Sequence, residues 1–255
     1  MHWARLRTED GTDLVGVIDG DTLAPRTALG ADTPAGDPVP LASGTLLPPV
    51  VPGKFIGLWN NFHAAAEKNG WAIPEHPLYF LKPLSSLAGP GATVTMPSAA
   101  RRVIFEGELG VVIGKRVRNA TPDQAADAIL GYTCVNDFTA LDLLDADSSF
   151  RHWTRSKGFD GFGVVGPTIA TDVNWRDLTI RVQVGARERQ SYPASDMIMG
   201  PEDLVSRLSA DMTLEPGDLI ACGTSLGAAP VKAGHEVSVI IDGIGTLSVT
   251  MAAEA

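Results

Sequence analysis

Short apolar runs with alternating or β-branched side chains dominate the sequence and predict a protein built mostly from β-strands. WARLRT and DLVGVIDGDTL open the chain and are joined by a turn that contains Asp10-Gly11, so we expect a hairpin there. The later runs are FIGLW, VIFEGELGVVIG, GYTCVND, TIRVQVG, DLIACGT, EVSVIID and GTLSVTM.

Convincing helical patterns are few and short. NNFHAAAEKNG predicts one helix, with Asn60 or Asn61 as N-cap and Gly70 as its end. TPDQAADAILG predicts a second, from N-cap Thr121 to Gly131, and PEDLVSRLSADM has an apolar face typical of a third. So few helices exclude a doubly wound nucleotide-binding sheet, and the chain has no dinucleotide-binding fingerprint.

The pattern divides the chain into two parts. Residues 1–50 predict a small N-terminal β-rich domain, and residues 51–255 predict a larger catalytic domain of the α+β class, mostly β. The stretch from Ala31 to Pro52 is rich in Gly, Pro, Ala and Ser, which favours a linker or an irregular crossing, so we place the boundary near Val50.

Composition and charge narrow the functional classes. The formal net charge is −10 and the basic residues form no continuous run, so a nucleic acid is not an expected partner. No apolar stretch approaches the ~20 residues of a membrane span, and the N-terminus lacks a signal-peptide core. We therefore expect a cytoplasmic protein that does not bind membranes, with Cys134 and Cys222 as buried, reduced thiols.

Three carboxylates form the most informative constellation. VIFEGELGVVIG scans as one strand, in which Glu106 and Glu108 would project from the same face. Two adjacent carboxylates repel, and a cation between them removes that cost. Asp137, where the next strand should end, is a candidate third ligand for Mg²⁺, Mn²⁺ or Ca²⁺. The alternative is an edge strand whose polar face lies in water.

Two further groups are candidates for catalysis. Lys157, between aromatic and glycine residues, is placed to stabilise negative charge on a substrate oxygen, although a surface lysine in a loop gives the same spacing. His63 and Glu67 lie four apart on the short alanine-rich helix, where a carboxylate can orient an imidazole as a general base. That helix would then act as a lid, whereas an ordinary surface pair is the alternative.

Read in order, these segments resemble the fumarylacetoacetate hydrolase superfamily from about Lys54 to the C-terminus. The resemblance is carried by FHAAAE, PLYFLKPLSSLAGPG, FEGELGVVIG, GYTCVND, WTRSKGFDGFGVVGP, MTLEPGDLIACGTSLG and IDGIGTLS. It implies a mixed β-roll, a homodimer and a small keto-acid substrate. It also implies Mg²⁺ or a similar ion on the three carboxylates, Lys157 and Thr224 at the substrate, and a water molecule activated by the His63–Glu67 dyad.

The resemblance implies hydrolysis of a carbon–carbon bond in an acylpyruvate or related β-diketo acid, or else isomerisation or decarboxylation of a hydroxydienoate or keto acid. Two departures bear on this choice. The lid pair is spaced by four, where many members have three. Leu141 stands where many acylpyruvate-cleaving members carry an arginine, so Arg151 or Arg155 would have to bind the substrate carboxylate.

Two alternatives come from other functional classes. Gly223–Gly227 matches the GxSxG pattern of serine hydrolases, but that motif needs a following helix, and His235 precedes Asp242 in the wrong order. The other alternative is a family member that binds a metal ion and has lost its activity, because fold does not fix function.

Overall fold

The computed structural model describes residues 1–254 and confirms a mostly β protein of the α+β class. Its strands are β1 (His2–Thr8), β2 (Asp13–Asp19), β3 (Thr22–Pro25), β4 (Val39–Pro40), β5 (Gly44–Leu47), β6 (Phe55–Trp59), β7 (Leu78–Lys82), β8 (Leu87–Ala88), β9 (Thr93–Met96), β10 (Val103–Phe105), β11 (Gly107–Ile113), β12 (Ile129–Asp137), β13 (Thr139–Ala140), β14 (Gly163–Ala170), β15 (Thr179–Val184), β16 (Arg187–Pro193), β17 (Leu219–Ala221), β18 (Ala229–Pro230), β19 (Glu236–Ile241) and β20 (Gly245–Ala253). Its helices are α1 (His63–Asn69), α2 (Pro122–Ala128), α3 (Leu141–Leu144), α4 (Trp153–Lys157) and α5 (Pro201–Asp211).

The strands form three sheets. Twelve of them make one large sheet in the spatial order β4-β3-β2-β1-β14-β12-β11-β17-β6-β7, with β5 beside β1 and β8 beside β14. Five make a second sheet, β16-β15-β19-β20-β9, and β13-β10-β18 make a short third one. Most neighbours are antiparallel, but β17–β6, β14–β8 and β20–β9 are parallel, as a mixed β-roll requires.

The main hydrophobic core lies between the large sheet and the five-stranded sheet. Leu109 and Val111 of β11 share this core with Val182 of β15 and Val239 of β19. At Gly107 the two sheets approach so closely that a Cβ atom would lie 2.2 Å from a methyl group of Val182. Only glycine fits at the position between Glu106 and Glu108.

The N-terminal strands extend the large sheet. β1 pairs with β14 in the register Trp3↔Ile169, and both side chains lie in a second apolar cluster on the opposite face of the sheet. The expectation of a linker is wrong for residues 44–47, because β5 is a strand of the sheet and pairs with β1. The division of the chain near Val50 stays a prediction.

The predicted helices are present, but two of their boundaries differ. α1 begins at His63 with Phe62 as N-cap, so the assignment of Asn60 or Asn61 to that role is wrong. The Asn61 side chain instead donates to the carbonyls of Met199 and Cys222. Gly70 ends α1 as expected, in the left-handed conformation at φ 66°.

In α2, Thr121 and Gln124 form a capping box, which confirms Thr121 as the N-cap. The helix ends at Ala128 and not at Gly131, because β12 begins at Ile129. α5 buries Leu204, Val205 and Leu208 on one face, as predicted. None of the helices in the described part of the chain has the length and apolar character of a membrane span.

Candidate active site

The acidic strand predicted from Val103 to Gly114 is interrupted at Glu106. β10 ends at Phe105 in the short sheet, whereas β11 begins at Gly107 in the large one, so a single continuous strand is wrong. The break is held in place by Asn136, whose side-chain oxygen accepts the Glu106 amide proton at 3.2 Å. Glu106 therefore lies where two sheets meet.

The three predicted carboxylates converge at this junction. β11 and β12 pair antiparallel with Gly107 opposite Asn136, which brings Asp137 beside both glutamates. One oxygen of each carboxylate lies within 4.8 Å of the other two. Glu108 and Asp137 are fully buried, and the Glu106 side chain is 16% exposed. The sequence therefore identified a cluster that the fold assembles.

Two buried lysines neutralise part of this charge. Lys157, at the end of α4, donates from Nζ to Glu106 Oε2 at 2.5 Å and to Asp137 Oδ2. Lys82, at the end of β7, donates to Asp137 Oδ1 at 2.6 Å and to the carbonyl of Lys157. The three carboxylates and two ammonium groups leave a net charge of −1 in the cluster.

Sequence reasoning missed Lys82, although one signal was present. In the apolar run LYFLKP, Lys82 lies two residues after Phe80 and therefore points to the same face of the strand, and both side chains are buried on β7. A lysine at an inward position of a strand needs an acidic partner, because an unpaired buried charge is costly.

Burial and neighbouring charges shift the pKa values of the buried groups in different directions, and burial lowers the pKa of Lys82. Burial, together with the nearby Asp137 and Glu106 charges, raises the pKa of Glu108 well above its ordinary value. Burial also acts to raise the pKa of Asp137, but Lys157 and Lys82 outweigh it and lower that pKa. For Lys157 the carboxylates outweigh burial and raise the pKa. Glu108 is therefore the carboxylate whose negative charge is least compensated.

The donor set of the cluster fits a hard divalent cation. Glu108 Oε2 accepts the Gly223 amide proton at 2.7 Å, and Glu106 Oε2 accepts the Thr139 hydroxyl at 2.8 Å. The second oxygen of each glutamate accepts no hydrogen bond from any residue between 1 and 254. Those two oxygens, with the remaining lone pairs of Asp137, are all-oxygen ligands of the kind that Mg²⁺, Mn²⁺ and Ca²⁺ prefer.

A polar network fixes Thr224 beside the cluster. Its hydroxyl donates to the carbonyl of Gly107 at 3.0 Å and accepts from Gln190 Nε2 at 2.9 Å. Gln190 Oε1 accepts the Gly107 amide proton at 3.0 Å, and the Tyr192 hydroxyl also donates to the Gly107 carbonyl. Gln190 and Tyr192 carry no local sequence signal, since they are brought here by the pairing of the second sheet.

The carboxylates of Glu106 and Glu108 open onto a cavity of about 380 Å³, and Asp137 is not part of its wall. Lys157, Thr224 and Arg151 line it together with these two glutamates, so five predicted site residues share one space. The rest of the wall comes from residues in and around α1, α3 and α4, from β10 and β13, and from the loop after β17. These residues are Leu58, Trp59, Asn60, Ala65, Lys68, Asn69, Trp71, Ile104, Thr139, Leu141, Leu144, Trp153, Ser225, Leu226, Gly227 and Ala228.

The remaining predicted residues divide into two groups. Arg151 lines the cavity, and Leu141 lines it as the apolar residue at the position where an arginine was expected. His63, Glu67 and Arg155 are exposed and are not part of the cavity wall. α1 instead turns Ala65, Lys68 and Asn69 toward the cavity, and the structure, over residues 1–254, contains no hydrogen bond between His63 and Glu67.

The surroundings of Ser225 exclude the serine-hydrolase alternative. A turn and the short strand β18 follow it, where a nucleophile elbow would lead into a helix. His235 is exposed and lies against Arg187 and Lys232 at a different surface. The buried Ser225 Oγ lines the cavity and has no hydrogen-bond partner among the described residues.

The fold, the carboxylate cluster and the buried lysines describe a β-roll protein with a group of acidic side chains that could hold a metal ion. The family model "Fumarylacetoacetate (FAA) hydrolase C-terminal" matches residues 54–252, and the model "Rv2993c-like, N-terminal" matches residues 1–49. The chain belongs to the fumarylacetoacetate hydrolase family, as its motifs predicted.

Known proteins similar to the chain have more than one activity. It is 38% identical over 260 residues to protein Rv2993c of Mycobacterium tuberculosis, with 97% of each chain covered. The structure of 5-carboxymethyl-2-hydroxymuconate delta-isomerase from Mycobacterium smegmatis is similar at a TM-score of 0.90, 36% identity and full coverage of both chains. Maleylpyruvate hydrolase from Sphingobium sp. SYK-6, in complex with manganese(II) and pyruvate, matches at a TM-score of 0.80, 29% identity and full coverage of both.

Proposed function

We propose that the protein is a divalent-metal-dependent hydrolase that cleaves a carbon–carbon bond in an acylpyruvate or a related β-diketo acid of the fumarylpyruvate or fumarylacetoacetate type. One observation carries the proposal. Two carboxylates, a charged lysine and a threonine hydroxyl line a single cavity, and the buried carboxylate of Asp137 lies within 4.8 Å of the other two. The similar maleylpyruvate hydrolase, described with manganese and pyruvate, supports a keto acid as the ligand of that end.

Glu106, Glu108 and Asp137 would hold Mg²⁺, with Mn²⁺ or Ca²⁺ as alternatives. A bound ion would supply Lewis-acid polarisation of a keto oxygen and a binding point for the adjacent carboxylate. Lys157 stays charged because the carboxylates raise its pKa, so it can stabilise negative charge that develops on the substrate. Thr224 can turn its hydroxyl from Gly107 to the substrate, because the Tyr192 hydroxyl also serves the Gly107 carbonyl.

His63 and Glu67 are proposed to activate the water molecule. Both side chains are exposed and outside the cavity wall, so the role requires α1 to turn and bring His63 over the cavity. His63 would then remove a proton from water as the oxygen adds to the distal carbonyl. The bond between that carbonyl carbon and the pyruvate methylene carbon then breaks, and its electron pair leaves with the methylene carbon as the pyruvate enolate. The proton taken from water is returned to the methylene carbon, which gives pyruvate and a carboxylic acid.

Arg151 is the proposed partner of a substrate carboxylate. It lines the cavity, and Arg155 does not, so Arg151 is the better replacement for the arginine that is missing at Leu141. Its guanidinium pairs with Asp145 at 2.7 Å on the surface, where such a pair contributes little and can be exchanged.

Isomerisation of a 2-hydroxydienedioate is the second candidate, and decarboxylation of a keto acid belongs with it. The full-length similarity to a delta-isomerase at 36% identity favours it, and so does the position of His63 and Glu67 outside the cavity wall. Moving a proton within the substrate needs no attacking water, so an isomerase would not require the dyad.

The two candidates are separated by following products with Mg²⁺ present over a panel of acylpyruvates, oxaloacetate and hydroxydienoates. Hydrolysis yields pyruvate and a carboxylic acid. If the panel gives only keto–enol exchange, double-bond migration or CO₂, the hydrolase proposal is wrong. Complete inactivity, with Mg²⁺ still bound, would identify an inactive metal-binding member.

The dyad is tested with His63→Ala, which should lower hydrolysis by about 10²–10⁴-fold. Exchange of the pyruvate methylene protons with deuterium should persist, because it depends on the carboxylate cluster and Lys157. His76→Ala is the matched control, since His76 is exposed and outside the cavity wall. Equal effects of the two substitutions would contradict the role of His63.

A homodimer is proposed as the assembly. β7 is the last strand of the large sheet and carries Leu78, Tyr79 and Leu81 with exposed fractions of 40%, 37% and 48%. An apolar edge strand of this kind is normally covered. Sedimentation at micromolar concentration should give the mass of two chains, and Leu81→Asp should give a monomer; a wild-type monomer would contradict the proposal.

A further inference from the structure

The wall of the cavity changes character away from the carboxylates. Trp59 is the last residue of β6, Trp71 lies just after α1 and Trp153 begins α4, and all three line the same space. The Trp59 ring centroid lies 5.0 Å from that of Trp71 and 5.9 Å from that of Trp153, with the planes tilted by about 50° in both pairs (49° and 54°). Three separate elements thus contribute indoles to one aromatic wall, defined here as Trp59, Trp71 and Trp153.

The aromatic wall is partly open to solvent. Trp71 is 39% exposed, and Trp59 and Trp153 are half-buried. Large apolar rings are normally buried in the core, so indoles that converge on a cavity indicate a surface for a ligand. Rings of this kind favour planar partners, which can stack on their faces or meet their edges.

A cation marks the outer end of the aromatic wall. The Arg151 guanidinium lies 5.2 Å from the Trp59 ring centroid and 5.0 Å from that of Trp153. Trp153 stacks on Phe80 at 5.1 Å with an interplanar angle of 5°, and Lys157 Nζ lies 5.0 Å from the Phe80 ring centroid. Two aromatic rings therefore separate Arg151 from the lysine at the carboxylate cluster.

We infer that the acyl group of the substrate is an aroyl group, whose aromatic ring carries a carboxylate. The inference rests on the proposed function, because it places the keto-acid end of the substrate at Glu106, Glu108 and Lys157. The ring would then lie against the aromatic wall, and its carboxylate would replace Asp145 at Arg151. Leu141 contributes an apolar surface on the way, where an arginine would have drawn a carboxylate closer to the cluster.

A matched series of substrates tests the inference. Acetylpyruvate, fumarylpyruvate, benzoylpyruvate and 4-carboxybenzoylpyruvate share the keto-acid end, and they differ in the ring and in the terminal carboxylate. We expect kcat/KM to rise about tenfold from acetylpyruvate to benzoylpyruvate, as contact with two or three rings implies, and to rise again with the carboxylate. Fumarylpyruvate, with a carboxylate and no ring, should stay below the carboxybenzoyl compound. Equal values over the series, or a preference for acetylpyruvate, would overturn the inference.

Substitutions assign the effect to named residues. Trp71→Leu and Trp153→Leu should each lower kcat/KM for benzoylpyruvate several-fold more than kcat/KM for acetylpyruvate, on the order of one lost ring contact, and so remove most of the preference. Arg151→Met should remove the gain from the carboxylate alone. Phe150→Leu is the control, because Phe150 is 65% exposed and outside the cavity wall. Loss of the preference in the control, or its persistence in both tryptophan variants, would overturn the assignment.

Binding separates this inference from the proposed function. If no acylpyruvate is cleaved, the proposed function fails, but quenching of tryptophan fluorescence still reports which compound binds. Tighter binding of the aromatic compounds, lost in Trp71→Leu, would support the aromatic subsite by itself. Cleavage of all acylpyruvates with no difference in binding would support the proposed function and refute the subsite.

Discussion

Lys82 offers a direct test of the charge arrangement in the site. Its Nζ lies 2.6 Å from Asp137 Oδ1, and neither side chain is more than 1% exposed. Lys82→Met keeps most of the apolar stem but removes the ammonium group. The buried cluster then contains three carboxylates and one lysine, so its net charge changes from −1 to −2.

Removing one partner of a buried ion pair typically costs about 3–5 kcal/mol, because the remaining charge keeps its desolvation penalty. At about 2–4 °C per kcal/mol for a protein of this size, we expect Tm to fall by about 6–20 °C. Thermal unfolding of the metal-free protein, followed by circular dichroism, measures the change.

Lys115→Met is the matched control. Lys115 pairs with Asp127 at 2.8 Å, but the two side chains are 64% and 73% exposed. An exposed pair contributes less than about 1 kcal/mol, so this variant should keep nearly the wild-type Tm. The double variant Lys82→Met/Asp137→Asn should recover part of the loss, because it removes the uncompensated charge as well. Equal Tm values for Lys82→Met and Lys115→Met would refute the argument.

Three further predictions concern the cluster and the cavity. Mg²⁺ at a hundredfold excess over its Kd should stabilise the protein by about 2.7 kcal/mol, which corresponds to a rise of about 5–11 °C in Tm. Glu108→Gln should abolish that rise, whereas the control Asp127→Asn, at an exposed position, should keep it. Because the pKa of Glu108 is raised above 4.5, its contribution to the stability of the metal-free protein is present below pH 4.5 and lost as the pH rises through the raised pKa. Mg²⁺ affinity should increase over that same window, since the ion needs the deprotonated carboxylate; calorimetric titrations at a series of pH values that show a flat affinity would contradict this. Ser225→Ala removes an unpaired buried hydroxyl, so it should leave the free energy of unfolding unchanged or raise it by about 1–3 kcal/mol. If the hydroxyl binds the substrate, the same substitution should lower kcat/KM by about two- to tenfold. A fall in stability with unchanged kinetics would assign Ser225 to the fold alone.

Much of the architecture could be predicted from local patterns. Strands with alternating or β-branched residues, such as β6, β15 and β19, were recognised because their periodicity is a local property. The pairing of Glu106, Glu108 and Asp137 was likewise predictable, because charged residues in apolar strands need a partner or an ion. The predicted helix boundaries near Asn61 and Gly131 were wrong, since Asn61 is bound by segments far away in the sequence and Gly131 belongs to β12.

The break at Glu106 could not be predicted, because its cause lies in another sheet. Gly107 faces Val182 of β15, and the close approach there leaves no room for a side chain. β10 ends just before this point, and β11 begins at Gly107 in the large sheet, with Glu108 facing the cavity and not the core. A pattern of apolar residues describes which face is buried, but it does not show where a chain passes from one sheet to another.

The aromatic wall, for which we propose a role in specificity, and the two buried lysines are also products of tertiary structure. Trp59, Trp71 and Trp153 come from three elements, and each alone is an ordinary aromatic residue in the sequence. Lys82 and Lys157 approach one carboxylate from a strand and a helix that are far apart in sequence. The residual charge of −1 exists only after the three carboxylates and the two lysines meet. The proposed affinity for a divalent cation would therefore be a property of the folded chain, and substitutions of the lysines should change it as strongly as substitutions of the carboxylates.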